Sequence, residues 1–171
     1  MNPAAALYGL ALAIFARDLG VGTSLRPLGP LTVRIAAPRE VVFDVIAGPY
    51  LGRTPRARES KLKVVERGDD SVLAEHYSQT GRIVATTIET VRFERPGRVE
   101  FRLVRGPVPH VVEQFELREV EDGTELDYAG ELGTALWALG RWWGDAVAKR
   151  WEATVQHSLD AIKNEAERRA R

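Results

Sequence analysis

The chain has 171 residues, 44% of them hydrophobic, and its 24 lysines and arginines balance 24 aspartates and glutamates. That length suits one domain with a sizeable core, and the balanced charge leaves no global field pulling it towards nucleic acid or acidic lipid. Zero cysteines exclude a disulfide framework, a thiol nucleophile and a thiolate-ligated metal, and they fit a reducing cytoplasm.

Residues 3–16 (PAAALYGLALAIFA) form an apolar run closed by Arg17 and Asp18. The run is shorter than the roughly 20 residues of a membrane-spanning helix. No lysine or arginine precedes it, so the basic start of a signal peptide is missing. Three readings stand: a helix packed on the domain or a partner, a helix lying on a membrane surface, and a signal sequence. Gly20 to Pro30 carries three glycines and two prolines and reads as a linker. The expected division is therefore an N-terminal helix and linker over 1–30 and a domain over 31–171.

Leu31, Val33 and Ile35 alternate with Thr32, Arg34 and Ala36, which predicts a half-buried strand. Pro38 and Glu40 open a short helix with Val41, Val42, Val45 and Ile46 on its apolar side, and Gly48-Pro49 stops it. A further helical turn is expected around Tyr50 to Arg53. In the next stretch Arg53, Arg56, Arg58, Lys61, Lys63 and Arg67 face only Glu59 and Glu66, either as solvated surface or as a headgroup or phosphate contact. Six strands follow at about 60–67, 72–78, 82–94, 98–105, 110–120 and 124–132, separated by GDD, QTG, RPG, GPVP and DG.

From Thr134 to Arg169 runs the longest helical pattern, and it holds all four tryptophans. Leu136, Gly140, Trp143, Val147, Trp151, Val155 and Ile162 share one broad face. Trp142 points nearly the other way, with Ala135, Leu139 and Ala146 beside it. The first turns are thus apolar almost all round and call for cover from residues 3–16, a second subunit or a membrane. Asp145–Lys149 and Glu165–Arg169 read as solvated pairs further along.

Two hairpin registers follow from matching apolar faces and charges. A two-residue turn at Asp122-Gly123 sets Leu117 against Tyr128, Phe115 against Gly130, Glu113 against Leu132 and Arg118 against Asp127. At Pro96-Gly97 a two-residue turn would oppose Val91 and Phe93 to charged residues. A three-residue loop, Arg95-Pro96-Gly97, instead pairs Val91 with Phe101, Glu94 with Arg98 and Arg92 with Glu100. An antiparallel meander then puts the QTG and GPVP loops at the same end as the entry to the long helix. Pro107 and Pro109 loosen that end, which is the candidate mouth.

One strand, a helical insertion, six antiparallel strands and a long C-terminal helix form a helix-grip arrangement. The chain resembles the START-like (SRPBCC) superfamily, with its polyketide cyclase/dehydratase-like, coenzyme-Q-binding and pollen-allergen-related members. The resemblance rests on TVRIAAPREVVFDVIA at 32–47, DGTELDYAGEL at 122–132 and LDAIKNEAE at 159–167. It implies an α+β fold: a curved seven-stranded antiparallel sheet wrapped around the C-terminal helix, here with an extra N-terminal helix. It also implies a hydrophobic ligand between sheet and helix, with catalysis there in some members; it carries over no catalytic residues.

By parity Glu113 faces inward with Val111, Phe115 and Leu117, near the proposed mouth. There it is either a ligand anchor or acid/base, or it escapes to solvent or to an arginine. Glu89 also falls inward, opposite Leu103 and roughly 10 Å from Glu113 at the usual strand spacing, and reads as structural. Tyr128 is either core or a ligand contact. His76 and Tyr77 occupy opposite faces of one strand, and either of them is a candidate. Phe101, Phe115, Trp143, Val147 and Trp151 complete the expected lining. His76, His110 and His157 show no metal-ligand spacing, and no cofactor is expected. The leading expectation is non-catalytic binding of a lipid, polyketide, isoprenoid or quinone. A cyclase/dehydratase-type enzyme and a membrane-associated adaptor are the alternatives. No nucleic-acid motif is present, and a peripheral membrane or homodimer contact would run through residues 3–16 and Trp142.

Overall fold

The computed structural model describes residues 9, 12, 19–52, 61–80 and 83–171. Seven strands form one antiparallel sheet: β1 (Ser24–Ile35), β2 (Leu62–Arg67), β3 (Ser71–Thr80), β4 (Ile83–Glu94), β5 (Arg98–Arg105), β6 (His110–Val120) and β7 (Gly123–Thr134). Their order across the sheet is β1-β7-β6-β5-β4-β3-β2. Helix α1 (Arg39–Leu51) joins β1 to β2, and α2 (Trp137–Arg169) ends the chain. The curved sheet, long C-terminal helix and second helix make up the expected helix-grip fold. The helix expected over 3–16 and the arginines at 53, 56 and 58 lie outside the described residues, apart from Gly9 and Leu12. Among the described residues no helix is long and apolar enough to cross a membrane.

The first strand begins earlier than its composition suggests. Residues 24–30, read as linker, pair with β7 from Ser24 against Thr134 to Leu28 against Gly130. Pro27 and Pro30 are tolerated because β1 is an edge strand, and Gly29-Pro30 falls where the ladder skips between Leu28 and Leu31. Leu28 is fully buried, so the stretch belongs to the core.

Helix α2 runs along this edge. Arg26 pairs with Asp145 at 2.6 Å, Gly29 N–H donates to Glu152 Oε1 at 3.3 Å, and Ala36 N–H donates to Glu167 Oε1 at 3.2 Å. Twenty-two helical residues and ten strand residues both span about 33 Å, so the two elements stay in step along their length. Asp145 is thereby drawn to β1 instead of to the expected Lys149, whereas the Glu165–Arg169 pair forms at 2.7 Å.

The chain enters α2 through Leu136, at φ 71°, and the helix begins at Trp137, three residues after the expected start. Gly140 is required here, because a Cβ would lie 1.6 Å from the Ala135 carbonyl oxygen. Residues 21 and 22 brace this corner through Leu136 N–H to Val21 O (2.9 Å) and Trp137 N–H to Gly22 O (3.1 Å).

The Arg95–Gly97 loop and its register are as expected, with Val91 opposite Phe101, Arg92 opposite Glu100 and Glu94 opposite Arg98. The β6–β7 register is corrected by two residues. Val120 pairs with Gly123, so Glu121-Asp122 forms the turn, and Phe115 faces Tyr128, Glu113 faces Gly130 and Leu117 faces Leu126. A shift of two preserves which side chains point inward. Gly123, at φ 139°, serves β1 instead: a Cβ there would lie 2.2 Å from the Ile35 carbonyl oxygen.

Helix α1 buries Val42, Phe43, Val45, Ile46 and Ala47 against α2 and the sheet. It continues through Pro49 to Leu51, because a proline in the last turn forfeits a single bond. Arg67 from β2 donates to the carbonyls of Tyr50 and Gly52, which closes the helix end and fixes Tyr50. Arg95 bonds Asp44 at 2.7 Å and covers the Phe43 ring at 5.2 Å, holding the helix to the β4–β5 loop.

Candidate functional site

Strand β6 alternates buried and half-buried side chains, and that alternation carries Glu113 inward between Val111 and Phe115. Its neighbour across the ladder is Gly130, where a Cβ would come within 2.8 Å of Glu113 Cβ. The glycine puts no side chain directly opposite the carboxyl. Two donors reach it: Tyr128 O–H, two residues along the same strand as the glycine, at 2.7 Å and Trp151 Nε1–H from α2 at 2.6 Å. Both bonds fall on Oε2, and among the described residues no hydrogen bond reaches Oε1.

Glu113 is 8% exposed. Burial pushes its pKa up to about 7; the charge of Glu89 adds to the rise, while the two hydrogen bonds and His76 oppose it. The Tyr128 phenol is pushed well above its ordinary range by burial and by the carboxyl beside it, so it stays protonated and donates. The carboxyl of raised pKa and the protonated phenol thus sit side by side in the buried interior.

A second polar cluster faces the same interior. Glu89, 4% exposed on β4, accepts from Thr87 Oγ1–H at 2.9 Å and pairs through its other oxygen with His76 Nδ1 at 3.0 Å. The Nε2 of His76 lies 3.3 Å from Tyr50 O–H. Which of the two donates in that contact depends on which ring nitrogen carries the proton. Aromatic rings bridge the two clusters: Tyr50 to Phe101 at 6.1 Å, Phe101 to Phe115 at 5.6 Å and Phe115 to Tyr128 at 5.6 Å between centroids.

Of the residues expected to line the site, Glu113, Phe101, Phe115, Tyr128, Val147, Trp151 and His76 all face this interior. Tyr77 does not; its hydroxyl bonds Glu75 on the opposite face of β3. Trp143 is 47% exposed and donates Nε1–H to the Pro107 carbonyl at 2.9 Å, so it belongs to the β5–β6 loop at the proposed mouth. It lies eight residues, about 12 Å along the helix axis, before Trp151. Tyr50 was missed because the Gly48-Pro49 signal placed it beyond the helix. Glu89 faces inward as expected, and its partner His76 could not be read from the sequence because it sits on the neighbouring strand. Trp137, Leu139 and Trp142 are all more than 60% exposed, so the apolar start of α2 stands open among the described residues. No cluster of metal-ligating side chains occurs among the described residues.

The model of one family, described as polyketide cyclase/dehydrase and lipid transport, matches residues 31–167. The fold is similar to the Zhui aromatase/cyclase from Streptomyces sp. R1128, with TM-score 0.72 and 18% identity over 86% of this chain and 97% of that one. A START superfamily protein from Mycobacterium smegmatis follows at TM-score 0.58 and 13% identity, over 85% of this chain and 97% of that one. The di-domain aromatase/cyclase BexL from the BE-7585A biosynthetic pathway is similar at TM-score 0.61 and 18% identity, over 99% of this chain but 57% of BexL. No protein of curated function matches by sequence. At these identities the structural likenesses establish the fold alone.

Proposed function

The chain belongs to the polyketide cyclase/dehydrase and lipid transport family, and from that premise we propose that it binds an apolar small molecule between sheet and α2, with Glu113 as the polar anchor. The guest is of the lipid, polyketide, isoprenoid or quinone kind. One observation carries this reading: a buried carboxyl receives both its donors on one oxygen, with an aromatic surround and the other oxygen unbonded among the described residues. Leaving the second oxygen of a buried carboxyl without a hydrogen-bond partner costs free energy that a polar group on a guest would recover. Native mass spectrometry of the purified protein tests the proposal. A bound apolar species that Glu113→Leu releases supports it, and a guest retained equally by both proteins counts against the anchor.

A second reading, a cyclase/dehydratase-type enzyme, draws on the Glu89–His76–Tyr50 chain. Proton transfer on an apolar substrate needs two positioned groups, and here His76 Nε2 would serve as the base and Glu113 as the acid. Loss of turnover with retained binding in His76→Gln would favour this reading over simple carriage.

A further inference from the structure

We infer that Glu113 meets its guest as a hydrogen-bond donor, with its proton on Oε1, so that the guest presents an uncharged acceptor such as a ketone, quinone or ester carbonyl. The inference rests on the binding reading above and adds the chemistry of the contact.

The indole N–H of Trp151 can only donate, and the Tyr128 hydroxyl donates to the same oxygen. Both aim at Oε2, so a proton on that oxygen would point into two other hydrogens. Neutral Glu113 therefore keeps its carbonyl at Oε2 and its hydroxyl at Oε1, the oxygen left without a partner among the described residues.

The surroundings favour that neutral form. Glu113 is faced by Tyr128 from β7, Trp151 from α2 and the apolar ring of Phe101 from β5. Glu89 on β4 and His76 on β3 act on it through space, while Glu152 on α2 acts on Tyr128. Among the described residues no lysine or arginine contributes. The Glu89 carboxylate opposes a second negative charge, so an anionic guest is disfavoured. A guest that displaces water raises the cost of ionising Glu113 further. Binding thus draws a proton into the site at pH values where free Glu113 is ionised.

Four tricyclic probes of one shape test this: fluorene, 9-fluorenone, 9-fluorenol and fluorene-9-carboxylate. Their affinities are measured by tryptophan emission and calorimetry at pH 6 and pH 8.5, in buffers of different ionisation enthalpy. Fluorenone should bind about tenfold tighter than fluorene at pH 6, the worth of one buried hydrogen bond. Its affinity should fall about 30-fold by pH 8.5, with uptake of nearly one proton per guest. Glu113→Leu should erase the preference for fluorenone. Glu113→Gln should rescue it without proton uptake, because the amide oxygen accepts the two fixed donors and its N–H occupies the place of the Oε1 hydroxyl. Fluorenone affinity independent of pH, tighter binding of the carboxylate, or fluorenol binding that strengthens towards pH 8.5 would overturn the inference while leaving the binding reading intact. Binding of none of the four overturns the binding reading, and the inference with it.

Discussion

Replacing Glu113 with glutamine should change how stability depends on pH more than it changes stability at any one pH. The ordinary value for this carboxyl is 4.5, and in the folded protein it lies at about 7. A carboxyl whose folded pKa is raised contributes stability fully below its unfolded value and loses that contribution as pH rises through the folded one. At 1.36 kcal/mol per pH unit the full span is about 3.4 kcal/mol, of which about 2.5 kcal/mol falls between pH 5 and pH 8. Glutamine has the same shape, accepts the same two donors and does not titrate. The wild-type unfolding free energy should therefore drop by about 2.5 kcal/mol relative to the Glu113→Gln protein over that interval. Urea denaturation of both proteins at half-unit pH steps measures the difference directly, since every other group titrates in both. Parallel curves would show that Glu113 ionises in the fold as it does in water, and the reasoning about its burial would fail.

Tyr128→Phe removes one donor from Oε2 and keeps the ring, so it should cost about 1 kcal/mol and move the same pH transition above 7, because the lost bond favours the ionised form. A downward shift in that transition would contradict the assignment. Gly140→Ala gains up to about 1 kcal/mol in helix propensity yet must displace the Ala135 carbonyl. A net loss of about 2 kcal/mol, read as a fall of roughly 4–8 °C in Tm, is expected; a rise would mean that the corner relaxes freely. Trp142→Ser should leave stability within about 0.5 kcal/mol, since that side chain is mostly exposed. If Trp142 serves a membrane or dimer contact, the same change should lower vesicle co-sedimentation or self-association; unchanged values would remove it from both.

Which face each strand turns inward was legible in the sequence, because a period of two survives any even error in register. That is why Glu113 was placed on the inward face although the β6–β7 turn was set one residue too late and the register therefore moved by two. The Arg95–Gly97 loop was readable in full, since the competing turn brought apolar and charged residues face to face. Gly123 misled because its need for a positive φ arises from the Ile35 carbonyl on a third strand, which no local pattern reports. The partners of Glu113 were hidden for a similar reason: Tyr128 is 15 residues away and Trp151 is 38, and only the closed fold joins them. Periodicity grouped Trp143 with Trp151 correctly by angle. It carried no information about where along its length the helix overhangs the sheet, and there Trp143 turns to Pro107.

Because α2 holds all four tryptophans, and the Nε1–H of Trp151 is bonded to Glu113, nitrogen-15 labelling of the indoles reports on the site residue by residue. Titration with 9-fluorenone should move the Trp151 indole signal, identified by its absence in Trp151→Phe, and leave those of Trp137 and Trp142 in place. A guest that moves only the Trp137 or Trp142 signals, with Trp151 unchanged, would place binding outside the sheet–helix interior and contradict the account.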